Sequence, residues 1–274
     1  MSNPPPRAGK ILAVVPRPHE LLQGVLVKRY KRFFADVELT DGTLVTAHCV
    51  NTGTMEGLTR PGTPVWLSRA DNPKRKLQYT WELALIGEQI LGVNTNLPNR
   101  MVHQLLLQRQ LPWLAGWETV RPEKPYGEKS RVDFWLTADE GAREHYLEVK
   151  NCHLVYPDGC GYFPDCVSTR AAGHLEELAH CCARPGGHVS AEVLFFVQVN
   201  GAAQVRPSDL HDPAFGAAAR RVHAEGVSFS SIGVEHTAEA MTIYGPIPVD
   251  LEPYDTTPLL PWREANRAPA DQPI

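Results

Sequence analysis

Two stretches near the middle of the chain alternate between apolar and polar residues. Val132, Phe134 and Leu136 share one face of an extended segment and Asp133 takes the other. Leu147 and Val149 share a face of the second, with Tyr146, Glu148 and Lys150 opposite. This period predicts two half-buried strands. Thr137 to His145, which holds Asp139, Glu140 and Gly141, predicts the hairpin loop between them. Paired across that loop, Asp133 and Glu148 come close together with Lys150 beside them.

Upstream, short strand-like runs are separated by turn residues. Val25 to Val27 leads through a basic run into Phe33 to Leu39, and Asp41-Gly42 turns the chain into Leu44 to Cys49. Val65 to Ser68, Thr80 to Ile86 and Gln89 to Val93 follow. About five strands without a helix predict a small OB-like β-barrel over residues 21–95, because closure removes exposed edges. Residues 1–20 are proline-rich and predict a flexible arm.

The character changes at Asn96. Leu97, Met101, Val102, Leu105 and Leu106 fall at helical spacing, Pro98 suits a first turn, and the helix must stop before Pro112. Trp117 to Arg121 predicts a strand ahead of the hairpin, and Asn151 to Asp165 a loop. A helix from Ser168 to Ala183, N-capped by Ser168 or Thr169, buries Ala171, Ala172, Leu175, Leu178, Ala179 and Cys182. Its polar face carries Arg170, His174 and Glu177. Ala191 to Val199 reads as a buried central strand, Asp212 caps a helix from Pro213 to Glu225, and Val227 to Ile232 is a further strand. This makes an α/β domain over 96–245, followed by a proline-rich tail, 246–274, packed on the surface or disordered.

Composition narrows the class. The chain has 274 residues, 43% apolar and 21% charged, which is globular. No apolar run could span a bilayer and the N-terminus lacks a signal-peptide core, so no membrane partner and a cytoplasmic location are expected. The six cysteines contain no Cys-x-x-Cys, and reduced thiols are expected. Cys152-His153, Cys160 and Cys166 cluster loosely but match no familiar zinc module. Residues 1–100 carry 13 Lys and Arg against 8 Asp and Glu, and residues 101–274 carry 14 against 23. A basic front part joined to an acidic rear part suggests a phosphate-binding module attached to something else.

Two patterns carry chemistry. Lys28, Arg29, Tyr30, Lys31 and Arg32 form one basic cluster and Lys74, Arg75 and Lys76 another, beside Phe33, Phe34, Tyr79 and Trp81. Cations beside aromatics suit single-strand nucleic-acid binding; the plain alternative is a solvated charge run over core aromatics. Asp133, Glu148 and Lys150 suit a hard divalent cation such as Mg²⁺; the plain alternative is a surface hairpin with a cross-strand ion pair.

The element order after Asn96, with its carboxylates on the second and third strands, resembles the PD-(D/E)xK nuclease core. Asp133, Glu148 and Lys150 match the motif positions, although Val132 stands where the naming proline would be. Glu123 is the nearest candidate for the upstream acid, off the helix where it is often found. A longer set of motifs resembles the sugar fermentation stimulation protein A (SfsA) family. The set comprises Arg29-Tyr30-Lys31-Arg32-Phe33, His48-Cys49 with Asn51-Thr52-Gly53, Asp71-Asn72 with Lys74-Arg75-Lys76, and Thr80-Trp81-Glu82-Leu83. Val93-Asn94-Thr95, Tyr126-Gly127, Ser130-Arg131 with Asp133-Phe134, and Glu148-Val149-Lys150 continue it. Gly161-Tyr162-Phe163-Pro164-Asp165 and Thr169-Arg170 with His174-Leu175 and Glu177-Leu178 complete it.

The resemblance implies a bacterial, DNA-associated protein with an OB-like DNA-binding domain and a nuclease-like domain. Asp133 and Glu148 would ligate Mg²⁺ or Mn²⁺, with the Val149 carbonyl as a third oxygen. Lys150 would face the scissile phosphate, and His174 or Arg170 would steady it. Tyr162 and Asp165 sit on a loop that either reaches the site or anchors the following helix. The alternative function is a non-catalytic DNA-binding regulator of sugar (maltose) metabolism that uses the nuclease fold as a scaffold. Strand preference and formation of a homo-oligomer stay open.

Overall fold

The computed structural model describes residues 9–126, 130–186 and 188–266. Its first strand, β1 (Lys10–Pro16), lies inside the stretch expected to be a flexible arm. Leu12, Ala13 and Val15 pack on the core of the α/β domain, and β1 pairs antiparallel with the last strand of that domain. The arm expectation is therefore corrected for residues 10–16. Flanking prolines hid a strand whose apolar run has no clean alternation. Residues 1–8 lie outside the described residues.

The barrel follows as β2 (Leu22–Tyr30), β3 (Phe34–Leu39), β4 (Leu44–His48), β5 (Pro64–Arg69), β6 (Tyr79–Ile86) and β7 (Gln89–Gly92). Strand order is β4-β3-β2-β5-β6-β7, and a parallel pairing of β4 with β6 closes five of the strands into a barrel. Strand β7 extends beyond the closure as the second arm of a hairpin with β6. The Asp41-Gly42 turn forms as expected, with Gly42 at φ +81° and the Asp41 carboxylate accepting from the Thr43 N–H at 2.9 Å. Leu26, Val37, Ala47, Val65, Leu67 and Trp81 fill the interior.

The α/β domain begins with α1 (Leu97–Leu107) and continues through β8 (Thr119–Tyr126), β9 (Ser130–Ala138) and β10 (Arg143–Cys152). After the small strands β11 (Leu154–Val155) and β12 (Cys160–Phe163) come α2 (Thr169–Cys182), β13 (Val189–Val197) and β14 (Gln204–Pro207). Then follow α3 (Pro213–Ala224), β15 (Ser228–His236) and β16 (Ala240–Gly245). The main sheet has seven strands in the order β1-β16-β15-β13-β10-β9-β8. β13 is parallel to both neighbours, and the other pairings are antiparallel. Alternate β13 residues are buried on opposite faces, Val193, Phe195 and Val197 with α2 and α3, and Leu194 and Phe196 with α1. This is the PD-(D/E)xK arrangement of helix, three strands, helix and strand.

The caps follow the sequence. Ser168 Oγ accepts from the Ala171 N–H, and the Asp212 carboxylate from the Phe215 N–H. The loop expected over 151–165 is corrected. β10 runs to Cys152, and β11 and β12 form a hairpin joined in a three-stranded sheet by β14. Strands of two to four residues are too short to show a period.

The tail is packed as far as it is described. Val249 bridges to Val205, Arg206 donates to Asp250 at 2.6 Å, and the Tyr254 hydroxyl donates to the Pro207 carbonyl. A last short helix, α4 (Leu260–Asn266), sets Trp262 edge-on to Tyr156, and the Gly57 N–H of the barrel donates to the Asn266 carbonyl. The tail thus touches both domains. Among the described residues no helix is long and apolar enough to cross a membrane.

His236, at the end of β15, is fully buried beside Gly92 of β7 and Arg17, and burial, then the charge of Arg17, pushes its pKa down to about 3. Arg17 donates toward its Nδ1 at 3.2 Å, which fits a neutral ring. The unfolded chain gains this proton near pH 6.5, and the folded chain only near pH 3. The contribution to stability is therefore present above about pH 6.5 and lost as pH falls, by about 1.4 kcal/mol per unit. Urea unfolding between pH 7 and pH 4 is expected to fall less steeply in His236→Gln than in the wild type, by about one proton's slope. Equal slopes would refute the assignment.

Candidate metal centre and cleft

The site forms where the β9–β10 ladder stops. Rungs run from Ala138↔Arg143 to Phe134↔Leu147. The next rung would set Asp133 against Glu148. Instead Asp133 Oδ2 accepts the Val149 N–H at 2.7 Å, and its Oδ1 accepts from Asn99 Nδ2 at 2.6 Å. Strand β8 flanks the other side. Glu123 falls between the rungs Pro122↔Phe134 and Lys124↔Val132, so it stands across from Asp133. Its backbone is left-handed, φ +54°, and its side chain is exposed. Glu123, Asp133 and Glu148 thus occupy one row across three strands.

Glu148 is 3% exposed and Lys150 8%. Lys150 Nζ donates to Glu148 Oε1 at 2.7 Å, and the His174 ring meets the same oxygen through Nδ1. That nitrogen also lies 3.4 Å from Lys150 Nζ, but one Nδ1 cannot donate to a carboxylate and accept from an ammonium at once. The closer contact to Glu148 fixes Nδ1–H as the donor and leaves Nε2 to accept from Arg170 at 3.5 Å. Glu148 Oε2 is buried and, among the described residues, has no hydrogen-bond partner.

The two carboxylates are driven apart in acidity. Burial, then the nearby charge of Glu148, pushes the Asp133 pKa up to about 6. Burial also acts against Glu148 ionisation, but Lys150 and the His174 hydrogen bond outweigh it and hold Glu148 below its ordinary value. An ionised Glu148 with one orphaned oxygen, crowding a second carboxylate, is a site that gains from a cation. The donors are hard oxygens, which fits Mg²⁺ or Mn²⁺. Among the described residues no three His, Cys, Asp or Glu side chains converge on one point, so such an ion would rely on Asp133, Glu148, the Val149 carbonyl and water. A cleft of about 780 Å³ opens over these groups. Its walls include Asn96, which caps α1, Asn99 of α1, Arg131 of β9, and Arg170 and Glu177 of α2.

The remaining sequence candidates divide. Tyr162 turns away from the cleft and donates to Asp158. Asp165 belongs to the contact between the domains: it accepts the Met55 N–H at 3.0 Å and pairs with His153 at 3.4 Å. Burial opposes its ionisation, yet the hydrogen bond from His153 holds it far below the usual carboxylate range. A Cβ at Gly53 would meet the Asp165 carboxylate at 2.5 Å and force it to shift. His153 is engaged by Asn51 and Asp165, and the six cysteines are free thiols.

In the barrel, Arg29 donates to the Asn51 and Gly53 carbonyls and Arg32 to that of Thr52, so both hold the 51–53 loop. Lys28 pairs with Asp36 at 3.6 Å and lies over the ring of Tyr30, which stacks on Phe34. Lys31, Lys74, Arg75 and Lys76 are exposed, as is Phe33. Trp81 is wholly buried core. Sequence reasoning gave no role to Asn99, which orients Asp133, or to Glu177, whose buried Oε2 is also unpartnered among the described residues. Asn99 lies one helical turn past Thr95, and only the folded position of α1 brings it to Asp133.

Comparison with known proteins agrees with this architecture. The model of the SfsA N-terminal OB domain matches residues 27–93, and that of the sugar fermentation stimulation protein RE domain matches residues 96–240. A sugar fermentation stimulation protein homolog of Maricaulis maris is 43% identical over 234 residues, 85% of this chain and 98% of the relative. One from Methylobacterium nodulans is 45% identical over 236 residues, with the same shares covered. A solved structure of Pyrococcus furiosus SfsA in complex with Ca²⁺ superposes with a TM-score of 0.76 at 21% identity, covering 88% of this chain and 99% of that one. The chain belongs to the sugar fermentation stimulation protein (SfsA) family.

Proposed function

We propose that this protein is a divalent-metal-dependent phosphodiesterase that acts on DNA. The observation that carries the reading is the orphaned Oε2 of buried Glu148 beside the raised carboxyl of Asp133. Asp133, Glu148 and the Val149 carbonyl would hold Mg²⁺ or Mn²⁺, which when bound supplies Lewis acidity toward a phosphate and lowers the pKa of water. The Ca²⁺ in the Pyrococcus furiosus relative is a hard cation of the same ligand preference. Lys150 and His174 occupy Glu148 Oε1, and Oε2, without a partner among the described residues, would bind the ion. The ammonium of Lys150 also supplies positive charge where a pentavalent phosphorus would gather negative charge. Arg170 and Arg131, which both line the cleft, would bind non-bridging phosphate oxygens. The exposed cations Lys31, Lys74, Arg75 and Lys76, with Lys28, Arg29, Tyr30 and Arg32 around them, would hold DNA on the barrel.

Asp133→Asn and Glu148→Gln are each expected to lower Mn²⁺-dependent cleavage of DNA at least about 100-fold, a loss of about 2.7 kcal/mol of transition-state stabilisation. Each should also abolish the heat of Mn²⁺ binding in titration calorimetry. Full cleavage by either variant would refute the assignment. DNA binding by the wild type without cleavage in Mg²⁺ or Mn²⁺ would favour the regulator reading.

Reversing Lys74, Arg75 and Lys76 to Glu should weaken DNA binding and reduce the log–log salt slope by about 2–3, at roughly 0.7–0.9 per phosphate contact. An unchanged slope would remove the barrel from the binding surface.

A further inference from the structure

The acid row has a neighbour that the proposed chemistry does not use. One rung along the same face of the sheet stand Arg121, Trp135 and Tyr146, paired as Arg121↔Trp135 and Trp135↔Tyr146. Three cations cover these rings. Lys124 Nζ lies 2.9 Å from the Trp135 ring centroid, the Arg121 guanidinium 5.5 Å from it, and the Arg184 guanidinium 5.3 Å from that of Tyr146. Among the described residues a single carboxylate lies among them. Glu144 accepts from Trp135 Nε1 at 2.7 Å and from the Tyr146 hydroxyl at 2.9 Å, which locks the rings, and it meets Lys124 at 3.9 Å. Arg184 also donates to the Tyr146 hydroxyl at 2.9 Å. Among the described residues Arg121 makes no ion pair, and Arg121 and Arg184 are exposed. The patch therefore keeps a surplus of positive charge over aromatic faces.

The patch also runs on from the cleft. Asp133 is two residues from Trp135 on β9 and Glu148 two residues from Tyr146 on β10, so the two rows share a face about one rung pair apart. Strand β8 is the sheet edge, and protection of that edge accounts for Pro122 and Pro125. It does not account for Lys124 and Arg121 lying back over Trp135, on the face of the sheet and not along its rim.

We infer that Arg121, Lys124 and Arg184, seated on Trp135 and Tyr146, form a second DNA-binding surface that holds the strand flanking the reacting phosphate. The inference rests on the nuclease reading for its direction, but the surface itself is defined by charge and by continuity with the cleft. Guanidinium and ammonium groups would contact phosphates, and the Trp135 and Tyr146 rings beneath hold those cations in place.

The test uses the full chain and a fluorescein-labelled DNA of about thirty nucleotides, single-stranded and duplex, in fluorescence anisotropy. The triple variant Arg121→Gln, Lys124→Gln, Arg184→Gln is expected to raise Kd about tenfold and lower the salt slope by about 2. Hydrolysis of bis(p-nitrophenyl) phosphate, which is too small to reach beyond the acid row, should stay within about twofold of the wild type. Arg121→Glu alone, at an exposed position, should weaken binding in the same direction and covers the case in which the triple variant folds poorly. Unchanged Kd and slope in both variants would overturn the surface. So would loss of a poly-glutamate probe with DNA binding intact, which would assign the face to an acidic polypeptide. If the wild type fails to hydrolyse the small diester while the variants still lose DNA affinity, the nuclease reading falls and the surface stands.

Discussion

The acceptance of the Val149 N–H by the Asp133 carboxylate decides the shape of the site. Two antiparallel strands would normally continue their ladder, and a buried N–H left without an acceptor costs about 1–3 kcal/mol. Here a side chain replaces the main-chain partner, so the strands can separate without that penalty. Separation leaves room between the strands at the level of Asp133 and Glu148, where both line the floor of the cleft with Lys150. Asp133 therefore has a structural duty and a chemical one. The neutral isostere asparagine keeps an acceptor for Val149 while removing the charge, so it separates the two duties better than alanine would.

The segment that delivers Lys150 also fixes the barrel against the nuclease-like domain. Asn151, on the cleft wall, donates toward His153 Nδ1 at 3.3 Å and accepts from Gln198. His153 meets Asn51 and Asp165, and Asp165 takes the Met55 N–H. Arg29 and Arg32 close the same loop from the barrel side. Buried polar contacts of this kind add little net stability, since desolvation offsets most of the Coulomb gain, but a wrong alignment would leave each group unpaired. The relative placement of the two domains is specified by that penalty. It follows that Arg29, through Nη2, and Arg32, through Nε and Nη2, are tied to the 51–53 loop before DNA arrives, whereas Lys31, Lys74 and Lys76 are exposed.

Much of this was legible before folding. The alternation around Asp133 and Glu148 gives the correct strands, and Ser168 and Asp212 announce their helices because capping is a local interaction. The PD-(D/E)xK order follows from those elements. What the chain hid depends on distant partners. β1 is a strand because β16 is there to pair with it, and β14 because β12 is. Trp81 follows the 74–76 basic cluster by five residues, yet β6 turns it into the barrel. Asn99 and the proline-rich tail find their roles only when α1 meets β9 and when Tyr156 receives Trp262.

Glu123 links the two rows of the sheet face. A residue with a β-carbon at φ +54° pays about 1 kcal/mol or more relative to extended backbone, and such strain persists only where the surroundings enforce it. Arg131 donates to the Glu123 carbonyl at 3.1 Å, which is one such restraint. Regular alternation along β8 would put Lys124 with Val132, whose side chain is fully buried in the core. The left-handed turn of one residue lets the Lys124 ammonium reach the Trp135 ring on the opposite face. The same residue holds a carboxylate at the mouth of the cleft, on the row of Asp133. A glycine at 123 would relieve the strain but remove the carboxylate, and a β-branched residue could not adopt the turn. The strain is thus tied to placing an acid beside the candidate metal centre and a cation over Trp135.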